Sequence, residues 1–146
     1  MIKSQTEVYI HRPLNEVFEF LSNAENDPLW RDSMLKVKRV SEVNGNNHAR
    51  YKFTSNSGIR TVSGELELRT IPGKKIIWQG THGYGNFDGY YVFYGKHGGT
   101  KIKMIRKFKA KGIYSLLQPF LQIFFNWNAR KQFFKLREVM LKDGNN

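Results

Sequence analysis

Apolar and polar side chains alternate along the start of the chain, with Val8 and Ile10 on one parity and Glu7 and Tyr9 on the other. A period of two predicts a strand over residues 2–10, and Arg12-Pro13 ends it, because proline restricts its predecessor and lacks a backbone donor. The period then lengthens. Leu14, Val17, Phe18 and Leu21 recur every three or four residues to about Ser22, which predicts a one-faced helix with Pro13 at its entrance and Glu16 and Glu19 on its polar face. A second short helical or turn segment, Ala24 to Leu29, leads through Pro28 to Trp30, a large apolar residue in a polar stretch that is expected to be tucked under other structure.

After Met34 alternation returns, broken by turn residues at intervals of about ten. It predicts six further strands: Leu35–Val43, Ala49–Thr54, Arg60–Thr70, Lys74–Thr81, Phe87–Tyr94 and Thr100–Lys109. Asn44-Gly45-Asn46-Asn47, Ser55-Asn56-Ser57-Gly58, Pro72-Gly73, Gly83-Tyr84-Gly85 and His97-Gly98-Gly99 separate them, mostly as hairpin turns. Parity sorts the side chains by face. Tyr51, Phe53, Val62, Leu66, Leu68, Ile76, Trp78, Tyr91, Phe93, Ile102, Met104 and Phe108 share one greasy face, while Lys52, Glu65, Glu67, Arg69, Lys101, Lys103, Lys107 and Lys109 share a wet one.

The last predicted element is a long helix to Lys142 that starts near Ser115–Pro119, since Pro119 is tolerated only in a first turn. Ile113 to Trp127 is apolar nearly all round, too much for one stripe against a sheet. From Asn128 onward, Phe133, Phe134, Leu136, Met140 and Leu141 oppose Arg130, Lys131, Lys135, Arg137 and Lys142, so this half is expected to lie across the sheet. The order predicts an α+β layer: a curved seven-stranded antiparallel sheet wrapped around one long C-terminal helix, with two short helices after the first strand.

Composition narrows the chemistry. A chain of 146 residues with 40% hydrophobic content is expected to form a single domain, residues 1–146, with its own core. It has no cysteine, which removes disulfides, thiol nucleophiles and iron–sulfur sites and fits a reducing compartment. Without the apolar segment of a secretory signal or a membrane span, the expected location is cytoplasmic. The formal charge of +12 is lopsided: residues 1–33 hold 3 basic and 6 acidic side chains, and the remainder carries the excess of positive charge. Such a field favours anionic partners.

At this point the residues resemble a known family. Arg12-Pro13-Leu14-Asn15-Glu16-Val17-Phe18-Glu19-Phe20-Leu21, followed by Asn26, Pro28, Leu29 and Trp30, resembles the opening of START-like (SRPBCC) proteins, closest to the polyketide cyclase/dehydrase and lipid-transport group. Glu67 through Pro72 to Ile76, the Gly99-Thr100 turn and the long closing helix agree with it. The resemblance covers the whole chain and implies a helix-grip fold with a deep cavity for an apolar ligand. It carries over no catalytic set, because that scaffold hosts binders, transporters and enzymes.

Within that frame the candidate ligand-binding residues are Tyr51, Phe53, Trp78, Tyr91, Phe93 and Met104 from the sheet and Phe120, Phe124 and Trp127 from the helix. The competing reading is that they close on one another as core. Parity also turns Arg106 inward, where a guanidinium requires a partner. It either meets Asp88 or Glu138, is turned outward by a bulge, or holds the anionic head of a ligand. His82, on the inward parity at a strand end, is a candidate general acid or base beside Tyr91, with Tyr91 and Tyr51 as further proton-moving candidates; the alternative is a solvated strand-end histidine. Metal-ligand spacing, a nucleophile elbow and a nucleotide-binding glycine loop are all missing from the sequence, so no metal or cofactor is expected.

Lys96, Lys101, Lys103, Arg106, Lys107, Lys109 and Lys111 form a basic run without an acidic residue. It is either a solvated sheet face or, together with Ile113, Tyr114, Leu116, Leu117, Phe120, Leu121, Phe124 and Phe125, an interfacial anchor for an anionic membrane; the apolar excess also suits a homodimer face or a lid. Nucleic acid is disfavoured because no recognition motif accompanies the charge. The leading expectation is binding or transport of a hydrophobic, anionic small molecule such as a lipid, polyketide or aromatic metabolite. The alternatives are a metal-free cyclase/dehydratase-type enzyme using the same cavity, and a membrane-surface adaptor.

Overall fold

The computed structural model describes residues 2–42, 47–56 and 61–143 of the chain. The alternating segments form strands β1 (Ile2–Ile10), β2 (Met34–Glu42), β3 (His48–Asn56), β4 (Thr61–Ile71), β5 (Lys75–His82), β6 (Gly85–Lys96) and β7 (Gly99–Ala110). Helix α1 (Leu14–Ser22) and a 3-10 helix (Ala24–Leu29) fill the crossover from β1 to β2. A second 3-10 helix, Gly112–Leu117, leads into the long helix α2 (Gln118–Asp143). Pro119 therefore sits in the first turn of α2, where its missing N–H leaves no intrahelical bond unmade. The expected ends Val43 and Arg60 lie outside the described residues.

All seven strands form one antiparallel sheet in the order β1-β7-β6-β5-β4-β3-β2. Each hairpin places sequence neighbours side by side, while the crossover carries the chain from one edge to the other. The helix-grip arrangement follows from this order: α2 packs on β1, and the first 3-10 helix packs on β2. Irregular pairing in β2, at Met34/Lys36 and Arg39/Ser41, bends that edge strand.

The inward parity is the expected one, with Tyr51, Phe53, Leu66, Leu68, Ile76, Trp78, Tyr91, Phe93, Ile102 and Met104 all buried. Trp30 is fully buried against the rings of Tyr91 and Phe133. From α2, Phe133, Leu136 and Met140 reach the core. Phe134, at 56% exposure, and Leu141 do not, which corrects the wider apolar face expected for this helix. Residues 133, 136 and 140 fall on one line of a 3.6-residue helix, and each outlier is one step of about 100° away.

Three aromatic rings lie on glycines across the strand pairs of the concave face. Phe53 covers Gly64, Phe87 covers Gly80 and Trp78 covers Gly89, and a Cβ on any of these glycines would meet the ring at 2.5 Å or less. Only glycine permits so close an approach, so the rings rest flat against the sheet.

Candidate functional site

The segment between α1 and β2 is fixed by local hydrogen bonds. The Asn23 side chain accepts from the Glu25 N–H at 3.1 Å, and the Asn26 side chain donates to the Phe20 carbonyl at 2.9 Å. The N–H groups of Trp30 and Arg31 both donate to the Asp27 carbonyl, at 3.1 and 2.8 Å. This tight turn brings Asp27, Trp30 and Arg31 to the side of the segment that faces the sheet.

Arg31 Nη2 donates to the Tyr91 hydroxyl at 2.5 Å, and its guanidinium lies 4.6 Å from the Trp30 ring centre and 5.9 Å from that of Trp78. Arg31 Nε is buried without a hydrogen-bond partner among the described residues. Burial opposes the charge of Arg31, but Tyr91 and Asp27 outweigh it and hold the group above its ordinary pKa. Burial raises Asp27 to about 6, with Arg31 opposing the shift. Tyr91, packed on Trp78 at 4.4 Å between ring centres, is pushed up to about 12, chiefly by burial and against the pull of Arg31.

Arg106 enters the same interior from β7. It is buried, and it donates from Nε to Ser4 Oγ and from Nη1 to Gln132 Oε1, each at 3.4 Å. Burial and the repulsion of Arg31 push it down to about 9, while Tyr91 works the other way. These hydrogen bonds go to neutral amide and hydroxyl groups rather than to the expected Asp88 or Glu138; Asp88 sits on the opposite face of β6, across from Lys107. Two guanidinium groups thus flank one phenol, with a single carboxylate, Asp27, among the described groups that set their charge state.

The other candidates divide by position. Tyr51 is buried beneath the first 3-10 helix, its hydroxyl beside the Ala24 backbone, and burial raises its pKa. Phe53, Trp78, Phe93 and Met104 line the concave face. The side chains of Phe120, Phe124 and Trp127 lie outside the described residues. His82 is not beside Tyr91. Register pairs His82 with Gly85 and Tyr91 with Ile76, so the two stand about 20 Å apart along the sheet. His82 stacks between Phe87 and Phe108 and accepts the Tyr84 N–H on Nδ1 at 3.1 Å, and burial, helped by Lys111, lowers its pKa. A neutral imidazole among rings suits packing better than proton transfer to Tyr91.

A cleft of about 420 Å³ opens beside α1, lined by Leu14, Phe18, Arg39, His48, Ala49 and Leu68 among others. Among the described residues no group of acidic, histidine or cysteine side chains is placed to hold a metal ion, and no helix is long and apolar enough to cross a membrane. Sequence parity brought out Arg106 but missed Arg31 and Asp27. Their signal was their place beside Trp30, the buried anchor of the turn.

Comparison with known proteins agrees with this architecture. Residues 1–140 match the profile of the family described as polyketide cyclase / dehydrase and lipid transport. No curated protein matches the chain by sequence. Among solved structures, TTHA0849 from Thermus thermophilus superposes with a TM-score of 0.83 at 16% identity, covering 97% of this chain and 98% of that one. A START superfamily protein from Mycobacterium smegmatis gives 0.81 at 8% identity, covering 96% and 97%. The Zhui aromatase/cyclase from Streptomyces sp. R1128 gives 0.79 at 11% identity, covering 94% and 92%. At these identities the likeness is one of fold.

Proposed function

Because this chain belongs to the polyketide cyclase/dehydrase and lipid transport family, we propose that it binds a hydrophobic anion between the concave face of the sheet and α2. The apolar body of the ligand lies against Trp78, Phe93 and Met104, and its acidic head meets Arg31, Tyr91 and Arg106. The observation that carries this reading is the pair of enclosed guanidinium groups around the Tyr91 hydroxyl, beside a carboxylate that burial raises to about 6. Burying two cations this close together opposes folding, and an anionic head relieves that opposition on binding.

Native mass spectrometry of the purified protein, followed by solvent extraction, tests the reading. A stoichiometric hydrophobic acid is the expected result. An apo mass together with no binding of an aryl sulfonate probe overturns it.

The polyketide cyclase/dehydratase reading uses the same space and rests on the Arg31–Tyr91 hydrogen bond of 2.5 Å, which polarises a hydroxyl where a reactive chain would lie. Turnover of a poly-β-ketone substrate that survives Tyr91→Phe, Tyr51→Phe and His82→Gln together removes it.

A further inference from the structure

The corner where β7 hands over to α2 has no part in the buried site. There the 3-10 helix Gly112–Leu117 holds Ile113 and Leu116 in solvent, at 76% and 79% exposure. These are the most exposed of the large apolar side chains among the described residues. They are not the ends of a loose loop. The Lys111 N–H donates to the Tyr84 carbonyl at 2.9 Å, the Tyr114 N–H to the Lys111 carbonyl at 3.1 Å, and Ser115 Oγ to the Gly112 carbonyl at 2.6 Å. The Tyr114 ring packs edge-on against Tyr84, with ring centres 4.8 Å apart. Gly112, at φ +55°, makes the sharp exit from the strand that points the turn outward. The fold therefore presents two bulky aliphatic side chains on a braced turn.

The charged side chains flanking that turn in sequence are basic. Lys109 and Lys111 are exposed at its base, while Lys107, farther along the outer face of β7, stands across from Asp88. From residue 89 to residue 137 the sequence has no Asp or Glu, so the acidic side chains nearest in sequence are Asp88 and Glu138. A cationic collar around protruding aliphatic groups matches a surface with phosphate at its boundary and hydrocarbon just below. A second copy of this chain fits worse. Two side chains fall far short of the roughly 800 Å² per partner of a stable interface, and the facing collars would repel. Nucleic acid also fits worse, since the ring at this corner, Tyr114, is engaged with Tyr84 rather than offered for stacking.

We propose that this corner, with Ile113 and Leu116 inserted and Lys109 and Lys111 at the headgroups, docks the protein on an anionic lipid bilayer. The proposal is independent of what the interior holds.

Vesicle co-sedimentation at low salt tests it, comparing pure phosphatidylcholine with phosphatidylcholine containing about one-third phosphatidylglycerol. The wild type is expected to bind the anionic vesicles at least about tenfold more tightly than the neutral ones and to be released by about 0.5 M salt. I113S/L116S and K109E/K111E are each expected to weaken that binding by about tenfold or more. Both pairs are solvent-exposed, so circular dichroism and melting should match the wild type. K74E/K96E, with Lys74 in the β4–β5 turn and Lys96 at the end of β6, at the opposite end of the sheet and with the same change in net charge as K109E/K111E, should retain binding. Failure to bind anionic vesicles at low salt overturns the proposal. So does equal loss in K74E/K96E, which would reduce the effect to bulk charge, or unchanged binding by I113S/L116S. A wild-type dimer that I113S/L116S converts to monomer, without vesicle binding, would assign the corner to a second copy instead.

Discussion

Cations meet apolar surface at two places in this molecule, and what encloses them decides their chemistry. Under the Asp27–Arg31 turn, Arg31 and Arg106 are held among Trp30, Trp78 and Tyr91, where burial works against their charge. At the corner after β7, Lys109 and Lys111 keep their water and stand beside Ile113 and Leu116, which lack cover. The interior pairs planar guanidinium groups, whose fixed forks suit a carboxylate or phosphate head. The corner uses flexible ammonium groups, which suit a disordered layer of headgroups. Arginine inside and lysine outside is a division by desolvation: the weakly hydrated cation occupies the position where hydration must be surrendered.

The largest effect expected is on the anchor of the interior. Trp30→Ala removes a fully buried indole beneath the turn that carries Asp27 and Arg31, and should destabilise the protein by about 3–5 kcal/mol in urea titrations. A loss below about 1 kcal/mol would mean that the turn is held by its hydrogen bonds alone.

Next is the pH dependence of Asp27. Its folded pKa, about 6, lies above the ordinary carboxylate value, so the native state takes up the proton first. Stability should therefore fall as pH rises from about 4 to about 6 and level off above, by up to about 3 kcal/mol relative to Asp27→Asn. A difference between wild type and variant that stays flat over that window would show that the carboxyl is not desolvated.

Arg106→Met separates binding from folding. The aryl sulfonate affinity should drop by about tenfold to a hundredfold, while stability holds or rises because a costly buried charge is gone. Destabilisation with unchanged affinity would make Arg106 a structural strut between Ser4 and Gln132. The smallest effect belongs to the solvated outer face, where Lys101 pairs with Glu7 at 3.3 Å. Lys101→Ala should change stability by less than about 0.5 kcal/mol, and more than about 1 kcal/mol would blur the contrast between the two environments.

The sheet was legible because its information is periodic. Alternation marked the strands and placed Arg106 on the inner face even though its neighbours Lys103 and Lys107 point out. The line of Phe133, Leu136 and Met140 was legible too, though blurred by Phe134 and Leu141, since hydrophobicity cannot distinguish a residue facing the core from one a step around the helix. Arg31 was not legible. It follows a 3-10 turn with a proline inside, where direction is set by hydrogen bonds to the Asp27 carbonyl rather than by a repeat. His82 stands on the expected face and at the expected strand end but not beside Tyr91, because parity assigns a side and only pairing register assigns a distance.

The glycines beneath Phe53, Phe87 and Trp78 have a consequence for how such a protein can change. Each ring lies like a tile because nothing stands under it, and one methyl group on Gly64, Gly80 or Gly89 would press on both the ring and a carbonyl of the adjoining strand, at Thr81, Glu65 or Ile105, so that sheet and ring would have to shift together. The lie of the rings over the sheet is thereby governed from beneath, by residues that carry no side chain. A lineage could therefore reshape its inner face through positions that hydrophobic patterning does not mark.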